Sequence, residues 1–372
     1  MILFLTIVVF ILTLSILVIT HEFGHYITAK RNGIRVEEFG VGYPPRIIGF
    51  YKSKITKKWR SFWGRNDKHR DDIDGTIYSI NYIIFGGFVR MLGEEVDSDS
   101  KQSFSQKSPW IRAKVIIAGV LFNFILAWIL LTLWFWVVPR NLPNNIVVVS
   151  VAEHSAAAKA NISANDFLLK INGQKLSSVE LLQKLTKENQ GKTITLTVNH
   201  FGKEIDKSII LPQNTDAPLG ISLAESGTQE IPQFPWWKAP YYAFLEIIGV
   251  IWMSLSFIIG IFTSLFAGHK PAVEMVSGPV GVFGFLYQII NFGPAFIMRF
   301  IAIISIAVGF FNLLPFPGLD GGHLVFIIGE AIRGKKIVKA EWENALHWFG
   351  FIALLILFVL ITYNDINKWI IK

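Results

Sequence analysis

Long, unbroken apolar runs alternate with polar stretches along this chain. Residues 2–27, 113–138, about 296–318 and 347–367 are each apolar over a length that crosses a hydrocarbon core of about 30 Å as a helix. A further run, 241–267, is also long and apolar, but it carries Glu246 and several Ser/Thr residues, and Trp236, Trp237 and Trp252 lie in or just before it. Tryptophans of that kind suit a helix in the headgroup region or a re-entrant one. The pattern predicts a polytopic α-helical membrane protein with about four transmembrane helices.

The polar stretches have their own periodicities. Within 30–112, the segment GTIYSINYIIFGGFVRM (75–91) is rich in Ile, Tyr, Phe and Val, and Gly86-Gly87 offers a turn. It reads as a membrane-associated β-hairpin. Residues 146–212 run strand, short helix, strand, helix, strand, strand, which fits a small β-barrel with one helix across a groove. The expected divisions are 1–29 (first span), 30–112 (polar loop with the hairpin), 113–138 (second span) and 144–213 (barrel domain). They continue as 214–295 (linker with 241–267), 296–322 (third span), 323–346 (short loop) and 347–372 (fourth span and C-terminus).

Charge orients these pieces. Segment 30–112 holds sixteen Lys/Arg against ten Asp/Glu, and 331–346 holds four Lys/Arg, so both are expected on the cytoplasmic side. Segment 139–240, ten against nine, is expected on the other side. The net charge of +8 is therefore assigned to loop asymmetry and not to nucleic-acid binding. The mean hydropathy of +0.46 excludes an ordinary soluble protein, and the lack of cysteine excludes disulfides and thiol nucleophiles. The first run has no basic leader and no small-residue cleavage site before its polar end, so it is read as an uncleaved span.

That polar end carries the chemistry. His21-Glu22-Phe23-Gly24-His25 puts two imidazoles at i and i+4 on one helix face, close enough to share a tetrahedral zinc. Glu22 is placed to act as a general base on an activated water. Ionisable side chains are costly in a span, so an accidental cluster is a poor explanation. A third ligand is needed, and the best candidate is Asp320 in NLLPFPGLDGGH (312–323), on a backbone broken by Pro and Gly. His323 competes for that role, but two glycines separate it from Asp320, and it reads as a supporting residue or a helix start. Asp320 reaches the histidines only if 296–318 runs inward, which requires 241–267 to lie in the outer interface or to re-enter.

With HEFGH in the first span, NLLPFPGLDGG in the third and a groove domain between, the chain resembles the site-2 protease family. Within it, the likeness is to the bacterial group that cleaves membrane-bound anti-sigma factors. The resemblance implies that His21, His25 and Asp320 bind Zn2+ and that Glu22 is the catalytic base. It also implies that Asn312, Pro315 and Pro317, with Gly86 and Gly87 of the hairpin, hold substrate. Residues 155–160 (SAAAKA) resemble a PDZ signature, although Ala160–Asp166 departs from the usual glycine-containing turn. The implied substrates are single-span membrane proteins, shortened first by a site-1-type protease, in a bacterial cytoplasmic membrane. The active site would face the cytoplasm and the single PDZ-like domain the outside, as gate or dock. Clearing signal-peptide remnants would use the same chemistry. A zinc transporter would need further ligands on neighbouring helices, and a catalytically silent scaffold would have lost Glu22 or a ligand. Loop 51–74 is a basic-aromatic insertion without a counterpart in this likeness, read as a solvated or membrane-surface loop.

Overall fold

A computed structural model describes residues 2–64, 72–94, 96, 98–137, 145–152, 154–163, 166–200, 203–213, 215, 217–226, 235–266, 278–335, 338 and 340–367. They form two compact units: residues 1–136, 237–283 and 297–372 make the first, and 137–236 with 284–296 the second.

The first unit is built on helices. α1 (Ile2–Arg31) and α2 (Pro109–Val137) are followed by α5 (Ala239–Phe266), α7 (Pro294–Asn312), α8 (Asp320–Arg333) and α9 (Ala340–Ile366), while α6 (Pro279–Ile289) begins in this unit and its later residues, like the first turn of α7, belong to the second. Five of them, α1, α2, α5, α7 and α9, are long and apolar enough to cross a membrane. The expectation was about four, because 241–267 was read as interfacial or re-entrant. It is one continuous helix of 28 residues, which rules out a re-entrant loop and leaves a helix lying in the outer interface; its one proline, Pro240, falls in the first turn and breaks nothing. The short loop expected at 323–346 is also largely helical, since α8 fills most of it and α9 begins at Ala340.

Packing fixes the direction of α7. Ala127 and Leu131 of α2 are buried against Ala243 and Ile247 of α5 and Ala302 and Ile306 of α7. Small residues on all three helices let the backbones approach, the usual route to association where hydrocarbon already surrounds each helix. Arg299 of α7 pairs with Glu246 of α5 at 2.8 Å and lies over the Trp134 ring. That pairing neutralises two charges that the apolar setting would otherwise penalise. α5 and α7 thus start at the same end of the bundle, away from His21, and α7 runs toward the histidines as Asp320 requires.

A sheet packs beside α1. β1 (Val36–Ser53), β2 (Trp59–Trp63) and β3 (Ile73–Met91) form it in the order β2-β1-β3. Both long strands fold back on themselves, and their register interleaves them. The first half of β1 pairs antiparallel with the end of β3 (Val36↔Met91 to Val41↔Gly87), and its second half with the start of β3 (Ile48↔Ile80 to Ser53↔Ile73). Between these, partners advance together from Glu38↔Ile77 to Val41↔Ile80. The expected 75–91 hairpin is corrected accordingly: its two arms do not pair with each other, because the first half of β1 lies between them. Glu38, almost fully buried, ties the fold-back together by pairing with Arg46 at 2.6 Å and with Arg90.

The second unit contains β4 (Asn145–Val151), α3 (Ala156–Lys159), β5 (Phe167–Ile171), β6 (Gln174–Lys175), α4 (Val179–Glu188), β7 (Thr193–His200), β8 (Lys203–Ile210) and β9 (Ile221–Ser226). The order is β8-β7-β5-β4-β9, with β6 on β5. The sheet is open, not the closed barrel expected, and it reaches beyond residue 213 because β9 pairs with β4. Alternating inward residues such as Ile194, Leu196 and Val198 bury its core together with Leu182 of α4. Ser155 and Ser178 cap α3 and α4 by accepting the N–H groups of Ala158 and Leu181.

Candidate metal centre

Three side chains converge where α1, α2 and the start of α8 meet. His21 Nε2 lies 3.1 Å from His25 Nε2, and Asp320 Oδ2 lies 3.0 Å from the first and 3.4 Å from the second. Ligands on a tetrahedral zinc with bonds of about 2.0–2.1 Å sit roughly 3.3 Å apart, so the spacing fits that ion. Asp320 Oδ2 is buried with no hydrogen-bond donor, and an acceptor in that state calls for a cation. These three residues form a cluster able to hold a metal ion.

Each imidazole is held from outside the cluster. His25 Nδ1–H donates to the Val115 carbonyl at 2.8 Å, which leaves the Nε2 lone pair pointing inward. The Asn123 amide lies 3.4 Å from His21 Nδ1, and its Oδ1 is buried without a partner. Turning the amide so that Oδ1 accepts the His21 Nδ1–H satisfies both groups and again frees Nε2. The Ser305 hydroxyl donates to the Asn123 carbonyl and so ties α7 to the same place on α2.

Two glycines make the room. A Cβ at Gly119 would sit 2.4 Å from His25 Nε2, and one at Gly24 would sit 2.3 Å from the Ala118 carbonyl oxygen. Gly119 and Asn123 are four residues apart on α2, so one helix face supplies both the space and the polar support.

Asp320 is delivered by a folded-back loop. α7 ends at Asn312, and residues 313–319 reverse the chain so that Asp320 opens α8, where the helix dipole favours a carboxylate. A Cβ at Gly321 would meet the Leu314 carbonyl oxygen at 2.1 Å, and one at Gly322 the Phe316 oxygen at 2.5 Å. From α9, His347 Nδ1 accepts the Gly318 N–H at 2.9 Å, and Gly350 packs against Pro317 so closely that a Cβ would lie 2.0 Å from its oxygen. His323 takes no part in the cluster. Its ring stacks on His347 and its Nδ1 is 3.5 Å from Glu343.

Of the other residues singled out in the sequence, Glu22 lies beside the triad with the Val89 backbone facing its carboxylate. Gly87 lies against it: a Cβ there would be 3.8 Å from Glu22 Cγ. Gly86 turns the chain with φ +95° next to the Tyr43 ring. Asn312, Pro315 and Pro317 lie on the segment leading into Asp320 and are not among the groups that converge on the triad. Asn123, Gly119, Gly24 and His347 are the residues that sequence reasoning missed. The G-x-x-x-N spacing in an otherwise apolar span is the signal that was available for the first two. Asn123→Ala is expected to weaken zinc binding about 10–100-fold, read by chelator competition on the purified protein.

The chain matches the model of Peptidase family M50 over residues 9–62 and 68–357. Relatives of nearly equal length, each provisionally named a zinc metalloprotease, are found across bacteria. One from Rhizobium meliloti is 30% identical, covering 97% of this chain and 96% of its own. One from Fusobacterium nucleatum is 32% identical over 98% and 99%, and one from Clostridium acetobutylicum 31% identical over 98% of each.

Proposed function

This chain belongs to Peptidase family M50 and is a zinc metalloprotease of the site-2 kind, and from that premise we propose that it hydrolyses peptide bonds inside the transmembrane segments of single-span membrane proteins. The observation that carries this is the place of the triad. His21, His25 and Asp320 converge at the end of an apolar helix, with Glu22 and the edge of a β-sheet beside them.

In this reading His21, His25 and Asp320 hold the zinc. The ion supplies Lewis-acid chemistry, lowering the pKa of water toward ~7 and polarising a carbonyl. Glu22 accepts the proton of the attacking water and passes it to the leaving amine. Gly119 and the α1–α2 contact hold the two imidazoles in place before substrate arrives.

A peptide bond in a membrane helix is guarded by the helix's own hydrogen bonds, so cleavage requires local unwinding. The final stretch of β3, Gly87–Met91, pairs with β1 on one side and leaves its other edge next to Glu22. An unwound segment adds there as a further strand, with main-chain hydrogen bonds holding its scissile bond over the triad. Gly86 and Gly87 allow the close approach, and Asn312, Pro315 and Pro317, on the segment leading into Asp320, are assigned to substrate holding by the family likeness alone. Val89→Pro removes from that edge the N–H that faces Glu22, so it tests the edge and the support of the base together. It is expected to lower kcat/KM for a transmembrane substrate while zinc content stays at the wild-type level.

The second unit supports a PDZ-like role. Leu182, Gln183 and Thr186 of α4 face Ala217–Leu223 across a groove, and β9 is an edge strand. That geometry suits docking of an extended tail in a substrate ectodomain that a site-1-type protease has already shortened. Excising residues 144–226, so that β9 leaves with its partner β4, tests this. Cleavage of full-length substrate falls if the unit docks and rises if it gates. The remaining assignments, a bacterial cytoplasmic membrane with the triad on the cytoplasmic side and the second unit outside, follow the Lys/Arg distribution.

The deciding experiment is cleavage of a single-span helix by the purified protein in detergent, before and after zinc is stripped and restored. Zinc-dependent cuts within the span support the proposal. Cuts confined to soluble substrates, or zinc-dependent cation flux in proteoliposomes without cleavage, overturn it in favour of a surface protease or a transporter.

A further inference from the structure

The β1–β2 hairpin has a side that nothing in the catalytic reading uses. Cross-strand partners share a face of a sheet, and the register sets Ile48 opposite Trp63 and Lys52 opposite Trp59, with Phe50 level with Tyr78 and Ile48 with Ile80. Tyr78 and Phe39, on the same face, pack on Tyr26 of α1. Trp59 and Trp63 therefore stand on the face that adjoins a membrane-crossing helix, yet they lie beyond it and are 63% and 73% exposed.

The exposed residues are graded along the strands. Ile48, Ile80 and Trp63 are level with Val41 and Gly87, hence with the triad end of the sheet. Trp59 and Lys52 stand further out, and the turn beyond them carries Lys54, Ile55, Lys57 and Lys58, with Ile55 82% exposed. Apolar, then aromatic, then cationic is the order of a bilayer leaflet from hydrocarbon to headgroup.

The charges fit one partner. Residues 51–74 contain eight Lys/Arg against four Asp/Glu. Lys57 is paired with Asp74, and Asp72 is engaged within the turn, accepting the Ser53 hydroxyl and the Ile55 N–H. Those contacts hold the Asp72 carboxyl below its ordinary range. Lys52, Lys54, Lys58 and Arg60 are exposed and make no ion pair among the described residues.

We propose that this hairpin is a headgroup anchor, in which Trp59 and Trp63 sit in the interface and Lys52, Lys54, Lys58 and Arg60 bind the phosphates of anionic phospholipids. The continuity of the apolar face with α1 favours lipid over an acidic peptide, because a soluble peptide would meet only the cationic rim. The anchor would hold the sheet, and with it the Gly87–Met91 edge, at a fixed depth beside α1. It rests on the chain being a multi-pass membrane protein and stands whether or not the proteolytic reading holds.

The cysteine-free chain allows a direct test. Nitroxide labels are placed on Ile55→Cys and Trp63→Cys in the full chain, reconstituted in nanodiscs of phosphatidylcholine alone or mixed with phosphatidylglycerol. Their collision with oxygen and with a water-soluble nickel complex is then measured. The proposal expects the label at 63 to favour oxygen in both lipids. The label at 55 should lose nickel accessibility only when the anionic lipid is present. Replacing Lys52, Lys54, Lys58 and Arg60 together by Gln should abolish that difference, with zinc content reporting an intact fold. A label at 55 equally open to nickel in both lipids overturns the proposal, as does a label at 63 that stays open to water. Protection that appears only on adding a soluble acidic peptide overturns it too, and assigns the surface to a protein partner.

Discussion

Glu22→Gln is expected to leave zinc content unchanged and to slow intramembrane cleavage by about 10²–10⁴-fold, the contribution of a positioned general base. The exchange keeps the shape of the side chain and removes only its ability to take a proton. Glu22 supplies none of the three converging ligand atoms, so the metal has no reason to leave. The neighbouring Gly87 leaves space on the sheet side of the carboxylate, where a water and a peptide must both fit. Metal analysis and single-turnover cleavage on the same preparation separate the possibilities. A variant that cuts at the wild-type rate removes Glu22 from the mechanism. One that loses zinc along with activity makes it a structural support of the metal.

The legible part of the site was the part written in local spacing. Two histidines four apart in a long helix must share a face, and an acid on a Pro/Gly-broken backbone at the end of a span becomes the candidate third ligand once that pair lacks one. Neither inference needs tertiary knowledge. Asn123 and Gly119 were missed for the opposite reason. An isolated Asn or Gly in an apolar run is compatible with ordinary helix packing, and only the approach of α2 to α1, through Gly24 and Ala118, gives them their role.

The sheet shows where local reading fails. The β content of 75–91 and its glycine turn were both apparent. The insertion of the first half of β1 between the two arms depends on pairing across some forty residues, such as Gly40 with Ser79 and Phe88. No short-range signal distinguishes that from a plain hairpin. The same limit hid β9, whose pairing with β4 closes separations of 70 to 81 residues. For α5, length and apolarity were visible, while the packing of Ala243 and Ile247 against α2 and α7 was not.

Asp320→Ala is expected to have the second large effect, through the metal and not through the base. Removing Oδ2 leaves two imidazoles where a catalytic zinc takes three protein ligands. Purified protein should then carry little zinc, and cleavage should fall to the limit of detection. Asp320→Asn is the sharper variant, since it preserves volume at the start of α8, where Gly321 and Gly322 allow no rearrangement, and removes the charge that pairs with the cation. It should retain the fold, shown by an unchanged melting transition of the metal-free protein, and bind zinc more weakly than wild type. Zinc affinity equal to wild type in both variants would remove Asp320 from the ligand set. The His21–His25 pair would then need its third ligand elsewhere, and the folded-back loop from α7 would lose its reason for reaching the histidines.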